Sequence, residues 1–204
     1  MKVDGGQPPM GTASTPSVRA LRVSGAWEIR PPVFTDDRGL VAVPFRRDHL
    51  AALGVPPLDV AQTVHSRSRR GTVRGVHYTR GPSGGAKYVH CAHGSALDIV
   101  VDLRTGSPTF GLWDTVSLDP SLNRSVYVPA GVGHAFVALE PDTVLTYLLS
   151  TPYASETEGA VDARDPRLGL PLDRGDTRLM SARDRRAPTL DEAVRRGLLT
   201  VYEP

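Results

Sequence analysis

Residues 87–118 read KYVHCAHGSALDIVVDLRTGSPTFGLWDTVSL. Three short apolar runs, Lys87–Cys91, Ala96–Leu103 and Trp113–Leu118, are set apart by turn clusters, of which Thr105-Gly106-Ser107-Pro108 is the plainest. Short runs rich in Val, Ile, Tyr and Trp, bounded by Gly, Pro, Ser and Asp, read as β-strands. The same pattern continues on both sides. Ala26–Arg30, Val41–Phe45, Asp59–Ser66 and Thr72–Tyr78 come before, and Arg124–Val128, Ala135–Ala138 and Val144–Ser150 come after. Turns fall at Asp36-Asp37-Arg38-Gly39, from Gly81 to Gly85, from Asp119 to Asn123 and at Pro129-Ala130-Gly131. Many short strands, with neither a βαβ alternation nor an internal repeat, predict an all-β sandwich or barrel.

Helix is sparse. Asp48–Leu53, with Gly54 behind it, predicts one or two turns. Thr189-Leu190-Asp191-Glu192 is a capping box, in which hydroxyl and carboxylate satisfy orphan N–H groups. It opens the main helix, running to about Arg196, with Gly197 as its stop. Residues 1–18 (MKVDGGQPPMGTASTPSV) lack periodicity and read as a disordered tail. Residues 19–204 are then one domain, with a helical appendage over about residues 180–204.

A chain of 204 residues suits one domain with a real core. With 24 Lys+Arg against 22 Asp+Glu, the net charge of +2 gives no global reason to expect nucleic acid. The single cysteine, Cys91, excludes a disulfide framework and a thiolate zinc site. No apolar run reaches the roughly 20 residues a membrane helix needs. The first 18 residues lack the apolar stretch of a secretory signal, which places the protein in the cytoplasm, as an unpaired thiol also suggests. Every basic residue is arginine except Lys2 and Lys87. Arginine is never neutral and a lysine can be tuned, so Lys87, inside a strand, marks a position that needs an ammonium.

The densest polar stretch is Gln62 to Tyr78, with His65 and His77 and the arginines 67, 69, 70 and 74. Arg67, Arg69 and Arg70 read as solvated turn residues. Arg74 and His77 lie beyond the turn among Val73, Val76 and Tyr78, where a polar group needs a partner. They suit an anion-binding cavity with an imidazole for proton transfer. Strict alternation would put them on opposite faces; a bulge at Gly75 would re-aim one of them. Pro129-Ala130-Gly131-Val132-Gly133-His134 has the P-x-G-x-x-H spacing of cupin barrels, where the histidine points inward, often to a metal. The H-x-H pair and glutamate that would complete such a site are missing, and His90 and His93, three apart on a strand, should face opposite ways. No metal is expected, and His134 reads equally well as a hydrogen-bonded core histidine. By spacing alone Tyr147, between Leu145 and Leu149, is a packed ring with a satisfied hydroxyl. Asp184, amid Arg183, Arg185 and Arg186, reads as a surface ion pair.

Taken together, Asp37-Arg38-Gly39, Arg74 to Tyr78, Ala86-Lys87-Tyr88-Val89, Leu97 to Arg104, Gly106-Ser107-Pro108-Thr109-Phe110-Gly111 and Gly131 to Phe136 resemble the dTDP-4-dehydrorhamnose 3,5-epimerase family, in order and at its spacing, from about Leu21 to Tyr202. Gln62-Thr63, Ala96 to Ile99 and Val132 to Leu139 are similar to its antibiotic deoxysugar branch, including 5-epimerases. The resemblance implies a cupin-type jelly roll that dimerises by exchanging strands. It implies a cofactor-independent isomerase acting at C5, C3 or both of a dTDP-4-keto-6-deoxyhexose, with no metal, membrane or nucleic-acid partner. By motif, His77 matches the base, Asp184 its carboxylate, Tyr147 the acid on the other face of the sugar, and Lys87 and Arg74 groups near the sugar oxygen and phosphates. Arg38, Gln62, Ser66 and Tyr153 match positions that hold the nucleotide, and Asp98 and His134 positions lining the cavity. One departure is Val64, where the family usually has Asn, which removes an amide donor and acceptor. The alternatives are a cupin 3,4-ketoisomerase on the same sugars, a metal-dependent cupin enzyme using His77, His134 and a carboxylate such as Asp98, or a sugar-nucleotide-binding module without catalysis.

Overall fold

The computed structural model describes residues 14–81 and 85–203. Strands β1 (Ser17–Ala20), β2 (Trp27–Arg30), β3 (Val33–Asp36) and β4 (Gly39–Ala42) precede the short helix α1 (Arg47–Ala52). Then come β5 (Gln62–Ser68), β6 (Val73–Thr79), β7 (Lys87–His93), β8 (Ala96–Val101), β9 (Trp113–Leu118), β10 (Ser125–Val128), β11 (Gly133–Ala138), β12 (Thr143–Leu149) and β13 (Glu158–Ala160). A single 3-10 turn (Thr177–Leu179) and helices α2 (Ala182–Arg185) and α3 (Leu190–Arg195) finish the chain. Each run read as a strand contains at least part of one. Among the described elements, β1, β3, β13, the 3-10 turn and α2 lack a sequence counterpart of their own. The expected tail over residues 1–18 stops early: Ser17 and Val18 pair with Arg30 and Ile29. Residues 1–13 of that tail, and 82–84 of the turn before β7, lie outside the described residues.

All pairings between these strands are antiparallel among the described residues; one isolated bridge, Thr105 to Val201, is parallel. One sheet has the order β1-β2-β10-β7-β12-β5, a second β13-β6-β11-β8-β9, and β3-β4 stands apart as a hairpin. The two large sheets face each other as a jelly-roll sandwich, because alternating residues give each an apolar inner face. Val89, Val100, Val126, Phe136 and Leu145 are among the side chains of the core they share. The outer face of the second sheet carries Val73, Val76, Tyr78, Ile99 and Val137, and it is covered by the C-terminal segment through Leu168, Met180, Leu190 and Ala193. That covering brings α2 against β6. The capping box at Thr189 is formed in both directions, as the sequence predicts. On the outer face of the first sheet, Ile29, Tyr88 and Tyr127 pack against Leu50, Val55 and Leu58 from α1 and the segment after it. No helix among the described residues is long and apolar enough to cross a membrane.

Candidate active site

A bulge sets the site. β6 and β11 pair His77 with His134 and Arg74 with Phe136, so β6 carries one more residue than β11 between the two pairs. The extra residue sits at Gly75–Val76, where Gly75 has φ +112°. A Cβ there would lie 2.5 Å from the His134 carbonyl oxygen and 2.6 Å from Ala135 Cβ, so only glycine lets β11 approach. The shift in register turns Arg74 and His77 toward the same space between the sheets. Both line a cavity of about 170 Å³ with His134 and Phe136 from β11. Val64, Lys87, Tyr147 and Leu149 form the facing wall, and Tyr153 and Glu158 complete the lining.

His77 Nε2 lies 2.7 Å from Asp184 Oδ1. The imidazole is 29% exposed and the aspartate 3%, so the acceptor is buried while the ring stays open to the cavity. Asp184 is fixed by its helix, since its backbone N–H donates to the Ser181 hydroxyl at 3.0 Å. Burial alone would raise the carboxyl's pKa. The hydrogen bond and charge of His77, with the Gly75 N–H and the Ser181 hydroxyl, outweigh it and hold Asp184 below the ordinary carboxylate range. An ionised Asp184 only accepts, so Nε2 is the nitrogen that carries a proton toward it, and in a neutral ring the lone pair falls on Nδ1.

A second imidazole–carboxylate pair stands beside the first. His134 Nε2 is 2.7 Å from Asp98 Oδ2, and the two side chains are 5% and 1% exposed. Asp98, expected at the cavity wall, stands behind His134 and is not one of the lining residues. The His134 ring meets Tyr147 edge-on with centroids 5.7 Å apart. Tyr147 packs on the inter-sheet core and also lines the cavity, so the packed ring read from its spacing has one side open to a ligand. Burial, reinforced by the charge on Asp98, drives its phenol pKa far upward against the weaker pull of Ser66 and Arg74. Tyr147 is therefore a neutral phenol with a proton to give. Lys87 lies opposite Leu149 in the register of β7 and β12. Burial lowers its pKa, the charge of Glu158 raises it, and Arg183 lowers it again, leaving it below the usual lysine value.

The residues expected to hold a nucleotide divide. Gln62 Oε1 accepts the Tyr153 N–H at 2.6 Å, which ties two of them together. Arg74 donates through Nε to Ser68 Oγ at 3.1 Å. Ser66 Oγ is buried near Tyr147 but makes no hydrogen bond of ordinary geometry among the described residues. Arg38 is elsewhere: it sits at the tip of the β3–β4 hairpin, 88% exposed, paired with Asp36 and outside its own chain's cavity.

His90 and His93 do not face opposite ways. One extra β7 residue lies between the Val144–His93 and Leu145–Cys91 pairs, so His90 and His93 sit opposite Thr146 and Val144, which share a face. Even so, no three His, Cys, Asp or Glu side chains gather as metal ligands among the described residues. Nε2 of His77 and of His134 is each engaged by its own carboxylate. Sequence reasoning missed Glu158, whose Oε1 accepts the Thr79 hydroxyl at 2.9 Å. It comes from a three-residue strand with no local signal, and only the pairing of β13 with β6 brings it to the cavity.

A family model described as dTDP-4-dehydrorhamnose 3,5-epimerase matches residues 20–192. The dTDP-4-dehydrorhamnose 3,5-epimerase of Streptomyces griseus is 47% identical over 187 residues, covering 91% of this chain and 92% of that protein. The dTDP-4-dehydro-6-deoxyglucose 3-epimerase of Streptomyces bikiniensis is 43% identical over 183 residues, covering 90% and 93%. Among solved structures, NovW, a 4-keto-6-deoxy sugar epimerase from the novobiocin biosynthetic gene cluster of Streptomyces spheroides, superimposes with a TM-score of 0.88 at 42% identity, covering 97% of this chain and 98% of that one.

Proposed function

The chain belongs to the dTDP-4-dehydrorhamnose 3,5-epimerase family, and on that premise we propose how its cavity inverts a carbon of a dTDP-linked 4-keto-6-deoxyhexose. It is an isomerase that epimerises a dTDP-keto-deoxysugar. The relatives invert C3 alone or C3 and C5. Both carbons flank the C4 ketone, so one enolate chemistry serves either.

The observation that carries the reading is a His77–Asp184 pair and a neutral Tyr147 on opposing walls of one cavity. A C–H beside a ketone is weakly acidic, and removing it needs a base in reach and a charge for the enolate oxygen. His77 takes the proton, and Asp184 stabilises the imidazolium that forms, as the aspartate does in a serine-protease triad. Lys87 meets the developing oxyanion, where a water-poor site strengthens the attraction. Tyr147 delivers a proton to the opposite face of the same carbon. The cycle leaves one proton too many on His77 and one too few on Tyr147, and exchange with solvent restores both. The ketone itself is the electron sink, so the proton transfers use only these side chains. Arg74, Gln62, Ser66, Tyr153 and His134 would hold the rest of the ligand, whose remote binding energy orients the ring.

We also propose that the protein works as a homodimer in the cytoplasm, where an unpaired thiol such as Cys91 stays reduced. Among the described residues β5 has a neighbour on one side only, and such an edge is a template for a second chain. The β3–β4 hairpin exposes Leu40 and Val41 by 51% and 60% beside Arg38. A second copy seated there would bring Arg38 to the nucleotide of its neighbour, which accounts for its distance from its own cavity.

The test is proton NMR of dTDP-4-keto-6-deoxyglucose in D2O. Deuterium should enter at C3, at C5 or at both with the wild-type chain, and nowhere with H77N. Wild-type exchange in the H77N variant would refute the base; a moved carbonyl would favour the 3,4-ketoisomerase.

A further inference from the structure

Lys87 is the one lysine lining the cavity among the described residues, and unlike Arg74 beside it, its charge can be tuned. It lines two adjoining hollows, and Leu149, Tyr153 and Glu158 line both with it. Glu158 is therefore the carboxylate that shares its space. It is held by its strand, where β13 pairs Glu158 with Thr79, and by the Thr79 hydroxyl on Oε1 at 2.9 Å. No Lys87–Glu158 ion pair forms within 4 Å among the described residues, so this carboxylate acts on the ammonium across the shared hollow.

Arg183 works against it. Its guanidinium lies 3.3 Å from the Glu158 carbonyl oxygen and 3.5 Å from the Tyr153 hydroxyl. It thus sits beside the same hollow as a second positive charge. The titratable and charged groups facing Lys87 among the described residues are then Arg74 and His77 on β6, His134 on β11, Tyr147 on β12, Tyr153 after it, Glu158 on β13 and Arg183 on α2. Only Glu158 among them is an anion.

We propose that Glu158 is a positioning residue for Lys87: its carboxylate keeps the lysine an ammonium inside the cavity, and Arg183 trims that hold. In water-poor surroundings an unpaired lysine sheds its proton. Burial is the largest influence on Lys87, with Glu158 opposing it and Arg183 adding to it. Without Glu158, the lysine would turn neutral at a lower pH and would lose its charge for the enolate oxygen. This consequence for turnover rests on the epimerase reading; the titration does not.

The chain's composition makes the measurement clean. Lys2 and Lys87 are its only lysines. In protein labelled with 13C at the lysine ε-carbon, two signals titrate, and K87M assigns the second by its loss. E158Q keeps the side-chain shape and its acceptor for Thr79 while removing the charge. Its Lys87 midpoint should fall by about one pH unit, the size of shift one nearby opposite charge commonly makes. R183Q should move it upward. In turnover, E158Q should lose roughly tenfold more activity on the alkaline side than near neutrality, the counterpart of that one-unit shift. A Lys87 midpoint unmoved in E158Q overturns the proposal, as does a uniform loss of activity at all pH values. If the wild type turned over no keto-sugar while the E158Q midpoint still fell, the epimerase reading would fail and the Glu158–Lys87 coupling would stand.

Discussion

Replacing Asp184 with asparagine isolates what the buried carboxylate does for His77. The two atoms are 2.7 Å apart and the aspartate side chain is 3% exposed, so the bond is short and its acceptor is shielded from water. In the resting enzyme, the asparagine amide oxygen can still accept from Nε2, and a neutral bond is worth about 0.5–1.5 kcal/mol. Once His77 holds the substrate's proton, the wild type has an imidazolium against a carboxylate, and the variant has only a dipole. Removing one partner of a buried ion pair costs roughly 3–5 kcal/mol. His77 is 29% exposed, so water recovers part of this and the lower figure applies. About 3 kcal/mol is a rate loss of roughly 100- to 200-fold at 1.36 kcal/mol per tenfold. An asparagine rotated to present its amide N–H would instead favour the wrong tautomer and deepen the loss. The assay is the rate of deuterium entry beside the ketone, followed by proton NMR under saturating sugar nucleotide. Exchange in D184N within threefold of the wild type would refute the dyad. Stability supplies a control with its own sign. A carboxyl whose folded pKa lies below its ordinary 3.8 stabilises the fold above that pH, and this contribution is lost as the pH falls through the folded value. The wild type's advantage in melting temperature over D184N should accordingly be full near neutrality and shrink on acidification below 3.8.

Y147F should separate the two half-reactions: deuterium still enters through His77, while net inversion falls by roughly 10²–10⁴-fold, the usual worth of a positioned acid. Equal losses in the NMR exchange and inversion assays would leave Tyr147 as a positioning group only. G75A forces a methyl into β11 at a left-handed φ and should destabilise the fold by about 2–4 kcal/mol, with exchange activity falling in parallel. Urea denaturation unchanged from the wild type would show that the bulge does not need glycine. Asp102, fully buried, accepts from Arg104, Ser107 and Thr109. D102A strands the Arg104 guanidinium and should cost about 3–5 kcal/mol by the same measurement, and a loss under about 1 kcal/mol would refute that accounting.

Several features were legible because their causes are local. Short apolar runs between glycine and proline turns marked ten of the strands, and Thr189 with Glu192 marked the start of the last helix. His77 and Arg74 stood out because polar side chains in an apolar run need partners, and Gly75 stood out as the place for a bulge. Lys87 stood out among the arginines. Tyr147 and Asp184, in contrast, looked ordinary by spacing, and only their likeness to a family's motifs singled them out. Asp98 was expected at the wall, where His134 now stands in front of it. His90 and His93 were misjudged because strict alternation was applied across a bulge.

Residue types, strand periodicity and caps act over a few neighbours, so the chain alone dictated an all-β sandwich and supplied an imidazole, a phenol, an ammonium and carboxylates. Which of them meet was decided by the return of distant segments. Asp184 reaches His77 across 107 residues because the C-terminal segment buries its apolar side chains on the back of β6. Glu158 reaches the cavity because a three-residue strand closes the sheet edge. Arg38 is carried away from the cavity by a hairpin whose two strands pair with each other and with neither large sheet among the described residues. Such encounters depend on packing between surfaces far apart in the chain, and nothing in the few residues around each partner encodes them.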